Sequence, residues 1–362
     1  MGANRPPSRA PWLPPMEKAS TFDRDSVATN LAAFLRRQIG GDVEIAGLKR
    51  YTVGFSWITY GFEACWRERT AVRRESWILR IGPPTGLFAP YRAFPQFAAL
   101  AALYGSAVPV PRPLWYSDEL ESFGAPFFIC EKIEGEAPLP WVAEGREAFP
   151  ELLREALAEQ FVAALAALHR FEWRGTPLET LGAGVDERSA ARVQITFWEA
   201  LLARWAFRPY PMLEWGISWL KEHCPVAPRV SVVHGDYRTG NFLESRGRIT
   251  AILDWELVHL GDPLEDLGWA CMRSFRGRSP RMCHLLEREP LYERYEALSG
   301  TTVSPSAVQF YEALGTFKLA VIHVAAARCF EDGRFEDLRL AALGVHLPRL
   351  LLQLEAAIEG RT

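Results

Sequence analysis

The sequence predicts an α+β protein in two parts, a small antiparallel sheet followed by a mostly helical region. Three patterns carry this expectation. Ile58, Tyr60, Phe62, Ala64 and Trp66 alternate along one face of a strand. Leu153, Leu157, Phe161, Leu165 and Leu168 recur at helical spacing, as a helix face turned to a core requires. Two short apolar runs, 241–244 and 249–253, flank Ser245-Arg246-Gly247-Arg248, which reads as a hairpin turn.

The elements follow in chain order. Residues 1–20 are proline-rich and are expected to form a flexible tail. Residues 21–38 form a first helix, capped at Asp25-Ser26 before Leu31, Phe34 and Leu35. Strands, the one from Ile58 to Trp66 among them, and one helix at about 93–104 fill the chain up to Ile133. Val108-Pro109-Val110-Pro111-Arg112-Pro113 is an extended connector, because proline disfavours helix at and before itself. The first part spans 21–133 and the second 134–362. In the second part, helices are expected over 149–171, 190–207 and 215–223, followed by the hairpin and later helices. Asp262-Pro263 suits a helix start, with Asp as N-cap and Pro in the first turn.

Composition bounds the function. Across 362 residues, 49% are hydrophobic and 23% charged, ordinary for a soluble globular chain with a sizeable core. A formal net charge of -3 gives no electrostatic case for binding nucleic acid or an anionic membrane. The six cysteines form no C-x-x-C pair, so reduced thiols and a cytoplasmic location are expected. No signal peptide is expected, and the apolar stretch 319–330 reads as too short for a membrane span.

The chemistry concentrates in residues 234–266. With the hairpin turn centred near Arg246 and Gly247, antiparallel pairing sets Asn241 opposite about Ile252. Asn241 and Asp254 then share the open end of the hairpin and offer oxygen, which suits Mg²⁺. Asp236, on the loop before, would face an acceptor hydroxyl as orienter and base.

The segments HGDYRTGN, ILDWE and GDPLEDLGW resemble the motifs of the aminoglycoside phosphotransferase (choline kinase-like) superfamily. The similarity is greatest to its branch of kinase-like domains fused to some acyl-CoA dehydrogenases. The resemblance implies a bilobal, protein-kinase-like fold and a small-molecule kinase using Mg²⁺ with ATP or GTP. It implies that Asp236 is catalytic, that Asn241 and Asp254 are metal ligands, that His234 shapes the catalytic loop and that Asp266 braces it. Ser56 falls in the phosphate-covering turn, Arg80 takes the place of the phosphate-contacting cation, and backbone groups near Glu131 to Ile133 meet the nucleobase. One departure stands out: Gln96 occupies the place of the glutamate that normally holds the cation, and no Asp or Glu occurs from Ser76 through Ser117.

The acceptor is expected to be a small hydroxylated molecule, and the protein a monomer or homodimer. Arg273, Arg276, Arg278 and Arg281 either face an acidic acceptor or form a solvated basic loop. The alternatives are a nucleotide-binding pseudokinase or regulatory module, suggested by Gln96, and a kinase of aminoglycoside or macrolide antibiotics.

Overall fold

In the computed structural model, which describes residues 22–52, 54, 56–139, 149–334 and 337–361, the chain is an α+β protein of two lobes. The tail expected over 1–20 lies outside the described residues. In the first lobe, β1 (Val43–Tyr51), β2 (Ile58–Glu68), β3 (Ala71–Ile81), β4 (Pro113–Ser117) and β5 (Phe127–Glu131) form one antiparallel sheet in the order β1-β2-β3-β5-β4.

The strand pleat divides the first lobe between two cores. On β5, Phe127 and Ile129 face the cluster under α1 (Arg24–Ile39), whereas Phe128 and Cys130 face the cluster shared with α2 (Phe94–Leu103) and the helical lobe. Tyr60, Phe62 and Ala64 are buried beneath α1 as the alternation predicts, with Ile58 and Trp66 partly buried at the two ends. The cap of α1 lies two residues before the expected one. The Asp23 carboxylate accepts from the amides of Asp25 (3.0 Å) and Ser26 (2.9 Å), so helix starts at Arg24.

The second lobe comprises α3 (Glu151–Arg170), α4 (Ala190–Trp205), α5 (Pro211–Glu222), α6 (Leu264–Cys271), the single turn α7 (Arg273–Arg276), α8 (Arg288–Ser299), α9 (Pro305–Glu331) and α10 (Leu338–Ile358). Helix α5 begins earlier than expected because Pro211 suits its first position. The run 319–330 belongs to a 27-residue helix, α9. By length and composition both α9 and α10 could cross a bilayer; 72% of the most apolar window of α9 is buried within the lobe, against 28% for α10. Helix α6 lies directly on α9: a Cβ at Gly268 would stand 2.4 Å from Tyr311 Cβ and 2.7 Å from its backbone carbon. Only glycine permits that approach.

Helix α6 starts at Leu264, one residue later than the sequence suggests, and Asp262 Oδ1 accepts from the Leu264 amide at 2.9 Å. The other Asp262 oxygen accepts from the Tyr311 hydroxyl at 3.0 Å. Burial pushes this carboxyl up to about 7. A folded value above the unfolded one favours the folded state most at low pH. That contribution is lost as pH rises from the unfolded value near 3.8 to about 7. Asp262→Asn should therefore flatten the fall in melting temperature between pH 4 and pH 7, roughly the interval between those two values. Melting curves across that range on both proteins check it; parallel profiles would contradict it.

Candidate active site

The catalytic loop is built on two short strands and one buried carboxylate. Strand β6 (Ser231–Val233) pairs with β9 (His259–Gly261) and delivers the chain to His234. Gly235 follows with φ +83°, and a Cβ there would stand 2.6 Å from the Leu257 carbonyl oxygen. Asp266, fully buried, accepts from the amides of His234 (2.8 Å) and Gly235 (2.9 Å), and lies 3.1 Å from His169 Nε2. The His234 ring joins the loop to the next strand: Nε2 donates to the Leu253 carbonyl (2.8 Å) while Nδ1 accepts from the Asp236 amide (3.1 Å). This pair of partners selects the neutral tautomer protonated on Nε2.

Donors surround the Asp236 carboxylate. Oδ1 accepts from Trp269 Nε1 (2.7 Å) and Arg238 Nε (2.8 Å), and Oδ2 accepts from Asn241 Nδ2 (2.6 Å). Phe275 packs near both neighbours, with its ring 5.5 Å from Trp269 and 5.0 Å from the Arg238 guanidinium. Behind Trp269, the buried Lys318 ammonium lies over the Trp198 and Trp269 rings and pairs with Glu265. Burial raises the Glu265 carboxyl, but Lys318 and His259 together outweigh it and hold the group at about 2. From 273–281, Phe275 reaches the surroundings of Asp236. Arg276 donates to the Cys271 and Ser279 carbonyls, and Arg273 and Arg278 are exposed.

The hairpin consists of β7 (Phe242–Ser245) and β8 (Arg248–Ile252), with positive φ at Arg246 and Gly247. Phe242, rather than Asn241, stands opposite Ile252. The shift comes from one extra residue on β8, where Leu243 faces Ala251 and Glu244 faces Ile249. Asn241 instead accepts from the Leu253 amide at 2.8 Å, which sets it beside Asp254 at the open end. The hairpin is fastened to both connectors of the first lobe, through Ile252 N to the Pro109 carbonyl (2.7 Å) and through the Glu136–Glu244 backbone pair.

Asn241 and Asp254 can hold Mg²⁺. Asn241 uses its amide nitrogen on Asp236, which leaves the side-chain oxygen as its remaining polar atom, and Asp254 adds a carboxylate. Among the described residues no group of three or more His, Cys, Asp or Glu is arranged to hold a metal. Two oxygen ligands with phosphates and waters completing the shell suit Mg²⁺ better than a cation needing a protein cage.

Arg80, on β3, faces this mouth. Its Nη2 lies 3.0 Å from Asp254 Oδ1 and its Nη1 donates to Gln96 Oε1 at 3.3 Å. Gln96 is buried on α2, whose first amides are held by Asp118 from beyond β4. Arg80 Nε and Gln96 Nε2 are buried without a hydrogen-bond partner. Burial raises the Asp254 carboxyl, yet Arg80, with smaller help from Arg238 and His234, outweighs it and the net direction is down. Asp254 itself sits at φ +66°.

Ser56, in the turn before β2, is directed to a residue that sequence reasoning passed over: its hydroxyl donates to Glu256 Oε2 at 2.5 Å. Burial, and next the charge of Asp254, push the Glu256 carboxyl up to about 8. Glu131 ends β5 and its amide donates to the Arg112 carbonyl (2.9 Å), Lys132 donates to Ser76 (3.0 Å), and Ile133 follows in the connector between the lobes. Arg238, Glu256 and Trp269 were also missed as site residues. Their only signal was position, since each lies inside a motif otherwise read for its Asp or Asn.

Comparison with known proteins identifies the family and the fold. The model of the phosphotransferase enzyme family matches residues 58–301. Mouse (Mus musculus) acyl-CoA dehydrogenase family member 10 is 27% identical over 266 residues, covering 71% of this chain and 23% of that protein. Human (Homo sapiens) acyl-CoA dehydrogenase family member 11 is 26% identical over 265 residues, covering 68% of this chain and 33% of that protein. The chain thus spans between 23% and 33% of the length of these two relatives. Among solved structures, a candidate aminoglycoside phosphotransferase from Ralstonia eutropha superposes with TM-score 0.69 at 22% identity, covering 92% of this chain and 98% of that one. A thermostable mutant of aminoglycoside phosphotransferase APH(4)-Ia, in complex with ADP and hygromycin B, gives 0.58 at 17% identity, covering 91% and 98%. These two likenesses speak to the fold, which is kinase-like.

Proposed function

The chain belongs to the phosphotransferase enzyme family, and from that premise we propose that it is a Mg²⁺-dependent small-molecule kinase. On this reading the γ-phosphoryl group of ATP or GTP passes to a hydroxyl of a neutral or acidic acceptor, of which a hydroxylated acyl compound is one class. The observation that carries the reading is the convergence of Asp236, Asn241 and Asp254 at one mouth, opposite Arg80. The solved neighbour bound to ADP and hygromycin B supports a nucleotide donor and a small-molecule acceptor in this fold.

The roles follow from the contacts. Trp269, Arg238 and Asn241 aim the Asp236 carboxylate, which accepts the hydrogen of the acceptor hydroxyl and turns its oxygen towards phosphorus. The acceptor oxygen forms the new P–O bond as the bond to the β-phosphate bridge breaks, and the hydroxyl proton leaves through Asp236. Mg²⁺, when bound by Asn241 and Asp254, supplies charge neutralisation across the phosphates. Arg80 adds a fixed planar cation to the phosphate side.

A thermal-shift titration with ATP and with GTP, each with and without Mg²⁺, tests the proposal. Binding at about one hundred times Kd should stabilise the fold by roughly 2.7 kcal/mol, and Mg²⁺ should be needed for the full effect. No shift, or one indifferent to Mg²⁺, would favour a regulatory pseudokinase. The Arg80–Asp254 pair is the observation on that side, because the cation rests on a metal ligand.

That pair leads to a further expectation. Gln96→Glu replaces the partnerless Nε2 with a second oxygen and puts a negative charge beside Arg80, which should draw the guanidinium from Asp254. A charge-assisted contact of about 1.5–3 kcal/mol would form. The variant should bind Mg²⁺-nucleotide more tightly by calorimetry; weaker binding would show that Arg80 is already placed correctly.

A further inference from the structure

We infer that the cavity between the end of α4 and the turn after α9 is a second anion site, built to receive a phosphate or carboxylate group carried by a small molecule. The cavity has a volume of about 350 Å³, and Arg204, Trp205, Phe207, Arg328, Asp332 and Arg334 line it. Among the described lining residues, three guanidinium groups stand against one carboxylate, a net positive charge.

The cations are arranged rather than scattered. Arg204 and Arg334 lie over the Trp205 ring at 5.1 and 5.4 Å, and Arg328 lies over the Phe207 ring at 5.6 Å. Stacking of this kind orients a planar fork and leaves its edges free to donate. Arg328 and Arg334 approach the same oxygen of Asp332, at 3.0 and 3.5 Å. Each guanidinium has five N–H donors, so one shared carboxylate oxygen and the Ala89 carbonyl bonded by Arg204 use few of them. Like charges gathered around an open space repel one another, and an anion within it would relieve that repulsion. A salt-bridged surface turn would be expected to balance its charges instead.

One segment joins this wall to the nucleotide cleft. Trp205 Nε1 donates to the Leu87 carbonyl at 3.1 Å, and Arg204 donates to that of Ala89. Two residues on, the Tyr91 ring packs against Trp57 at 5.5 Å, and the Trp57 ring lies 5.9 Å from the Arg80 guanidinium. Past the cavity, Arg339 at the start of α10 donates to the Thr52 carbonyl of the first lobe. The site therefore lies at the junction of the lobes, within one segment of Arg80. Its chemistry stands whether or not the chain proves to be a kinase.

Isothermal titration of the full chain with inorganic pyrophosphate, and separately with glutarate, tests the inference without nucleotide or metal. Saturable binding of at least one probe is expected, and which one binds distinguishes a phosphate site from a carboxylate site. The double substitution Arg328→Gln and Arg334→Gln should weaken that binding roughly tenfold or more, the loss expected for charged hydrogen bonds. Arg80→Gln, which alters only the phosphate side of the cleft, should leave intact the component of binding that the cavity variants lose. Arg204→Gln, which spares both Asp332 pairs, should also weaken it and serves if the double variant does not fold. The inference is overturned if neither probe saturates, if the cavity variants bind as the parent does, or if Arg80→Gln alone abolishes binding.

Discussion

Asp236→Asn should lower kcat for phosphoryl transfer by about 10²–10⁴-fold, the range a positioned acid–base group supplies. The substitution is nearly isosteric and keeps one oxygen that can accept from Trp269. Its amide nitrogen, however, must point a donor at Asn241 Nδ2 or at the Arg238 guanidinium, which are donors already. The hydroxyl loses its acceptor while the phosphate side, Arg80 with Asp254, is untouched. Nucleotide affinity should therefore stay near that of the parent while turnover collapses. The check is a steady-state comparison on an acceptor found by screening hydroxylated acids, with thermal shifts in Mg²⁺-nucleotide alongside. Retained turnover would remove Asp236 from the mechanism.

Asp266→Ala should cost about 3–5 kcal/mol of stability, the range for leaving buried partners of a removed charge uncompensated. Three groups lose their acceptor together: the His234 amide, the Gly235 amide and His169 Nε2. None can turn to water, because Asp266, His169 and His234 are all fully buried. His169 also meets the Tyr295 hydroxyl at 2.7 Å, so the disturbance should spread from the catalytic loop through α3 to α8. Asp266→Asn, with one oxygen retained, should cost less. Denaturant unfolding of the three proteins at one pH checks this ordering; a loss below about 1 kcal/mol in the alanine variant would mean that the loop is held by other contacts.

Elements whose signal is periodic were legible in the sequence. Strand β2 and helix α3 each bury the face that their apolar spacing marks, because a side chain's side of a strand or helix depends only on its place in the repeat. Ends and registers were read less well. The start of α1 moved because Asp23 reaches back-to-back amides that Asp25 does not, and the hairpin moved by one rung because Thr250 is the unpaired residue of a bulge. Both are decided by hydrogen bonding at one or two residues, which leaves no periodic trace.

What the sequence by itself determined is the succession of sheet and helices and the short-range chemistry of 234–266. There, Asp236, Asn241 and Asp254 fall within one loop and hairpin, and chain connectivity alone keeps them close. Only the tertiary structure decided what each of them touches. Trp269 reaches Asp236 from 33 residues away, Arg80 reaches Asp254 from 174, and Ser56 reaches Glu256 from 200. The three arginines of the second cavity come together from α4 and the far end of α9. Such pairs form because buried polar groups must find partners in whatever the packed lobes bring within reach, and that reach is a property of the assembled cores rather than of any local run of residues.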